Sequence, residues 1–405
     1  MRSAARIARA PALAAALAIA AAGPAAAQKD RVRKNDPSTD PYTRGEPEAL
    51  ARAGLVSLGG FEFGTTDTAE VDAYMAVEDI KWIESAHFEL GFALGPYKVK
   101  QSEKKAIFAE LTALSELLPE VDPKKGILDP WLRAHMYVQR LERVWDRFLG
   151  ILQLDASVFP DGSKAWDMRS KYWGEGPYLG ERGKYEVLIL PSEAGHVSYL
   201  KNYYGLLIKR TQRWNVVDRD TLTANIHVQQ GQLKDDGALH GHVAFNVAHN
   251  LLDGFKHYSY DTPIWLHEGL AHYLEREINP RHNTFDGSEG AIAEMTRKSN
   301  WEAETTKTIA AGDARRMAEL IRLKSYGEMK LADHYTVWSM IDFLLRTRPA
   351  ELARFLDALK GITNEQGVSD GSGLPDKHRD GFKEILGLGY AEFDEAWREW
   401  VAATY

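Results

Sequence analysis

Apolar residues along the chain fall into two regimes. In "AHFELGFAL" Phe88, Leu90, Phe92 and Leu94 alternate with His87, Glu89 and Gly91, which predicts a half-buried strand. "KYEVLILP" (184–191) is a continuous apolar run and predicts a well-buried strand; "LTANIHV" (222–228) alternates and predicts another. Between the first two, Ile107, Leu111, Leu114 and Leu118 mark one helix face that Pro119 ends. Asp129-Pro130 is an N-cap followed by proline at the first helical position, opening a helix with Tyr137, Leu141, Val144, Trp145 and Phe148 on one side. From about residue 240 the period is helical. Val337, Met340, Ile341, Leu344 and Leu345 mark one buried helix. Leu352, Phe355, Leu356 and Leu359 mark the next, stopped at Gly361, and Phe393, Trp397, Trp400 and Val401 mark the last. Residues 363–376 form a surface loop. Strands first and helices later predict an α+β fold: a mixed part with a small sheet at 51–235, then a mostly helical part at 236–405.

The chain start changes the picture of where the protein works. Arg2, Arg6 and Arg9 precede an apolar run from Ala10 to about Ala22, and Ala25-Ala26-Ala27 follow. That order is a secretory signal peptide over 1–27, cleaved near Ala27-Gln28, and predicts a periplasmic or secreted protein. Residues 28–50 are polar, charged and proline-bearing, which predicts a disordered arm. No other stretch approaches a membrane span. The chain has no cysteine, so its core forms without disulfides. The formal net charge of −8 becomes about −11 once the three leader arginines are removed, which argues against nucleic acid as a partner.

Two stretches invite metal chemistry. "HEGLAH" holds His267 and His272 five positions apart, about 140° around a helix, so their imidazoles point to different sides. A zincin HExxH stacks two histidines at i, i+4 on one face, with the glutamate beside them as general base. The frame "WLHEGLA" is instead similar to the "WLxEGxA" stretch of the gluzincin metallopeptidases, which include aminopeptidases and peptidase-MA-like proteins. "HYTVWSMIDFLL" (334–345), "ELARFLDALKG" (351–361) and "ILGLGYAEFDEAWREWV" (385–401) resemble the C-terminal helices of the peptidase-MA-like proteins. The likeness spans roughly residues 80–401.

The resemblance implies a thermolysin-like fold and makes Glu268 the third zinc ligand. Eighteen residues separate it from His249, which takes the place of the second histidine of HExxH. The first ligand then falls on Phe245 and the general base on Asn246. Phenylalanine has no lone pair for a metal, and a carboxamide cannot take a proton from metal-bound water. Tyr335 lies where gluzincins place a transition-state tyrosine. His272 shares a helix face with Glu268 and stands at an offset that, in thermolysin-like gluzincins, points toward the missing first ligand. Two readings of the cofactor follow: no metal, or zinc held by a relocated set of His249, Glu268 and His272, with His242 as a further candidate. In the bland alternative His272 is an ordinary helix residue. Trp265 is expected as core packing, and His196, His227 and His257 as surface or packing residues.

Three functions are then expected in turn. The first is an exported, catalytically impaired pseudo-metallopeptidase that binds peptide or another envelope polymer in the former cleft. The second is an active zinc metallopeptidase using the relocated ligands. The third is a non-catalytic envelope scaffold.

Overall fold

Six strands form the main sheet: β1 (Leu55–Ser57), β4 (Lys81–Ser85), β5 (Phe88–Phe92), β8 (Tyr185–Leu190), β9 (Gln212–Val216) and β10 (Thr221–His227). Their spatial order is β1-β4-β5-β8-β10-β9. The pairs β1/β4, β4/β5 and β10/β9 are antiparallel, whereas β5, β8 and β10 run parallel. Two-residue ladders join β2 (Glu62–Phe63) to β3 (Thr66–Asp67) and β6 (Tyr97–Lys98) to β7 (Ile127–Leu128). The computed structural model describes residues 39–163, 166–258, 260–285 and 299–405. The expected leader and the first part of the arm lie outside the described residues.

Helices cover both sheet faces, and the sequence of β8 records it. Val187 and Ile189 point into the main core with α4 (Pro130–Leu152) and α6 (Asp236–Gly254), while Leu188 and Leu190 point into a smaller core with α2 (Thr68–Tyr74) and α5 (Glu193–Tyr204). A strand buried on both faces has no polar phase, which is why its run is continuous. The same cover corrects the half-buried expectation for β5, where all five residues are buried. On its second face Glu89 meets Arg219, and Gly91 packs against Trp82 and Leu188.

The predicted helix starts hold. Asp129 accepts a hydrogen bond from Leu132 N (2.9 Å) at the head of α4, and α3 (Lys104–Leu117) stops before Pro119. The expected arm does not extend to residue 50. From Asp40 on the chain is packed: Asp40 Oδ2 lies 2.9 Å from His135 Nε2, both buried, and α1 (Pro47–Arg52) follows. Its polar residues have partners inside the fold, so composition alone misread them.

The C-terminal part is helical: α7 (Ile264–Ile278), α8 (Trp301–Ala310), α9 (Met317–Leu320), α10 (Leu331–Thr347), α11 (Pro349–Leu359), α12 (Leu374–Glu384) and α13 (Tyr390–Thr404). The expected loop therefore ends at Leu374. The two expected parts share one core within the unit Asp40–Tyr405. Trp265, wholly buried at the head of α7, packs on Phe355 and Phe382 and donates to His378 Nε2 (2.9 Å), as a core residue should. Among the described residues, no helix is long and apolar enough to cross a membrane.

Candidate metal centre

Three helices bring the chemistry together. Helix α6 supplies Phe245, Asn246 and His249; α7 supplies Glu268 and His272, one turn apart on one face; the first turn of α10 supplies His334. Close approach of α7 and α10 depends on Gly269. A Cβ there would stand 2.6 Å from Ile341 Cγ1 and 2.8 Å from the Val337 carbonyl oxygen.

Glu268 is the hub. His249 Nε2 stands 3.3 Å from its Oε1; His272 Nε2 and His334 Nδ1 stand 3.3 and 3.2 Å from its Oε2. His272 Nε2 and His334 Nδ1 are 2.9 Å apart. All four side chains are buried. Despite these short contacts, neither Glu268 oxygen receives a well-directed hydrogen bond. Buried acceptors are normally satisfied, and a cation held here would satisfy both oxygens. Zinc bonds of 2.0–2.2 Å at tetrahedral angles separate two ligand atoms by about 3.3–3.6 Å. The triangle of Glu268 Oε2, His272 Nε2 and His334 Nδ1, with sides of 2.9–3.3 Å, has nearly that size.

Surrounding groups orient the ligands. Glu275 Oε2 lies 3.4 Å from His272 Nδ1, and Glu275 is itself held by Thr284 N (3.0 Å). A carboxylate behind an imidazole fixes its tautomer and leaves the other nitrogen's lone pair facing inward. Burial pushes the Glu268 carboxyl up, but the three imidazoles outweigh it and hold it well below the usual range. Burial lowers His272, yet Glu268 and Glu275 more than compensate and its pKa is raised. His334 is lowered, because burial dominates over the pull of Glu268.

The expected ligand set is thus partly assembled. Glu268 and His272 converge, but with His334 as third member, while His249 faces the other carboxylate oxygen. The Phe245 ring lies 4.8 Å from the His249 ring and 5.1 Å from that of His272, so the position that the resemblance gives to a first ligand holds an apolar ring. Asn246 Oδ1 accepts from Arg213 Nη1 (2.7 Å), and its Nδ2 donates to the His242 carbonyl (2.8 Å). His242 is not drawn into the cluster, since Thr211 and Thr284 hydroxyls hold its two nitrogens at 2.9 and 3.1 Å. Tyr335 is also placed elsewhere. Its side chain packs in the aromatic group of Phe285, Trp301 and Trp338, with the Trp301 ring at 4.9 Å. Its neighbour His334 is the residue that reaches Glu268, because adjacent helical positions diverge by about 100°.

A cleft of about 420 Å³ lies beside this centre. Edge strand β9 and the segment before it line one side with Arg210, Thr211, Gln212, Arg213 and Trp214. Asn250, Asp253, Tyr258, Asp261, His267 and Tyr326 line the rest. His267, read from sequence as a look-alike, makes contacts here. Its Nε2 lies 2.7 Å from Asp253 Oδ1 and its Nδ1 2.9 Å from the Tyr326 hydroxyl. Glu268, His272 and His334 are not among the lining residues. The His249 ring, 5.2 Å from His267 and 5.9 Å from Tyr326, separates cleft from cluster.

No protein-family model matches the chain, and no curated protein matches it.

Proposed function

We propose that this protein is a gluzincin-like binding protein that has lost hydrolytic chemistry, keeps a zinc ion in a structural role, and takes an extended peptide or similar polymer in its cleft. One observation carries the reading: the buried convergence of Glu268, His272 and His334. These three residues suit zinc, whereas the ligand set implied by the resemblance does not, since Phe245 offers no donor. A bound ion would supply positive charge to the Glu268 carboxylate and tie α7 to α10. Three protein ligands leave zinc's fourth position open, and what assigns the ion a structural role is the complete burial of all three, away from the cleft. The base position supports the same conclusion. Asn246 cannot take a proton, and Arg213 occupies its oxygen.

The polymer reading rests on β9. Among the described residues this strand's ladder partner is β10, so it stands at the edge of the sheet, beside the cleft. An extended chain can add to such an edge through main-chain hydrogen bonds. The test is metal analysis of the purified full chain together with peptide binding and cleavage assays. The account expects tightly held zinc, of which one equivalent is lost in Glu268→Gln and in His334→Ala, saturable binding of extended peptides, and no cleavage. A zinc content equal to that of the parent in both variants, or turnover of bound peptide, would overturn it.

A further inference from the structure

We infer that Glu181, Asp220 and His257 form a second site, open to solvent, for a divalent transition cation. The site lies where the turn before β8, the start of β10 and the turn after α6 meet. One ligand atom from each residue lies within 4.8 Å of the others. Each side chain is held from behind. Glu181 Oε1 accepts from Tyr258 N (2.5 Å), Asp220 Oδ2 accepts from Arg182 N (3.0 Å), and His257 Nδ1 meets the Tyr172 hydroxyl (3.2 Å). What remains faces inward: Glu181 Oε2, Asp220 Oδ1 and His257 Nε2, the last two 2.8 Å apart. Outer contacts that orient the inner donors are the usual surroundings of a metal.

The independent sign is Glu181 itself. Its side chain is fully buried, and Oε2 has no hydrogen-bond partner. Two carboxylates brought together out of water need a positive charge between them, a proton or a cation. Nearby cations do not reach Glu181 Oε2: Arg182 Nε lies on the outer oxygen of Asp220 (3.2 Å), Lys360 Nζ donates to the Asp253 carbonyl (2.9 Å), and Lys256 pairs with Asp357 (2.5 Å). The donor set, two carboxylates and an imidazole, suits zinc better than the oxygen-seeking calcium or magnesium. His257 keeps 23% of its side-chain surface exposed, so this site reaches solvent where the Glu268 centre does not.

The backbone supports the same geometry. Leu179, Asp220, Lys256 and His257 all adopt left-handed conformations, with φ between 51° and 74°. Gly180 lets the two turns touch, since a Cβ there would stand 2.6 Å from His257 N.

The test uses the full chain with the first centre removed by Glu268→Gln and His334→Ala, titrated with Zn²⁺ by calorimetry. One equivalent is expected, weakened at least about tenfold in Asp220→Asn and in His257→Ala, by analogy with the loss of any ligand. No binding in that background, or binding indifferent to both changes, overturns the proposal. The otherwise unaltered chain gives a second readout that needs no double variant. It is expected to bind two equivalents and His257→Ala one; equal stoichiometry in the two refutes the second site. Loss of the Glu268 centre alone would leave one equivalent that His257→Ala removes, so the two claims fail separately.

Discussion

Replacing His334 with alanine removes one of the three proposed zinc ligands and leaves the Glu268–His249 contact untouched. The size of the effect follows from linkage. Free zinc at a hundred times its dissociation constant stabilises the folded chain by about 2.7 kcal/mol. Unfolding of the roughly 370 residues in the packed unit carries an entropy of about 0.8 kcal/mol per degree, so the melting midpoint should rise by about 3–4 °C. If losing the ligand weakens affinity about a hundredfold, the same zinc concentration equals the new dissociation constant. The stabilisation then falls to about 0.4 kcal/mol, or about half a degree. Scanning calorimetry of each variant with and without zinc reads the difference, and comparison with its own metal-free form cancels the cost of the truncation. A site elsewhere contributes equally to both chains and also cancels. Equal zinc shifts in the parent and His334→Ala chains would refute the ligand assignment.

Other outcomes follow from the same geometry. Without metal, the raised His272 stabilises fully below about pH 6.5 and loses that contribution as pH rises through its folded value; the lowered His334 costs stability as pH falls below about 6.5. The lowered Glu268 keeps its contribution above about pH 4.3 and loses it only on further acidification. The cluster's contribution should therefore peak near pH 6.5 in metal-free protein, whereas the zinc-induced shift should grow from pH 5.5 to 8.5 as protons cease to compete; thermal melts at three pH values check both, and a zinc shift larger at pH 5.5 would contradict them. Gly269→Ala should destabilise the fold by about 1–3 kcal/mol and weaken zinc binding, because its methyl group meets Ile341 and the Val337 carbonyl; denaturant melts with unchanged stability would count against this packing. Restoring the motif with Phe245→His and Asn246→Glu should rebuild a zinc site without efficient hydrolysis, since Arg213 reaches the oxygen at position 246 (2.7 Å) and would pair with the new carboxylate. Adding Arg213→Ala should raise peptide turnover above that of the double variant, and no increase would show that Arg213 does not restrain the base.

Much of the scaffold was legible in sequence. Helix phase, the Asp129-Pro130 cap and the apolar run of β8 each follow from local periodicity and capping chemistry. Strand β9 was not, because its QRWNV residues are nearly all half-buried at a sheet edge and carry no alternation. The arm from Asp40 was misread because its polar residues are satisfied by partners such as His135, far away in sequence.

The centre was half legible. Glu268 and His272 share a helix face, so spacing alone joins them. His334 comes from another helix, 62 residues beyond His272, and no local period links the two. Tyr335 is next to His334 in sequence but faces the aromatic group of Trp301 and Trp338, because adjacent helical positions diverge. Histidine 257 had no partner spacing either, since Asp220 and Glu181 reach it only through the meeting of three turns.

The most direct measurement is anomalous diffraction at the zinc edge from crystals of the zinc-loaded protein. The account predicts a peak about 2.0–2.2 Å from Glu268 Oε2, His272 Nε2 and His334 Nδ1. Absence of a peak there, or zinc bound by His249 and Glu268 with His334 turned away, would contradict it.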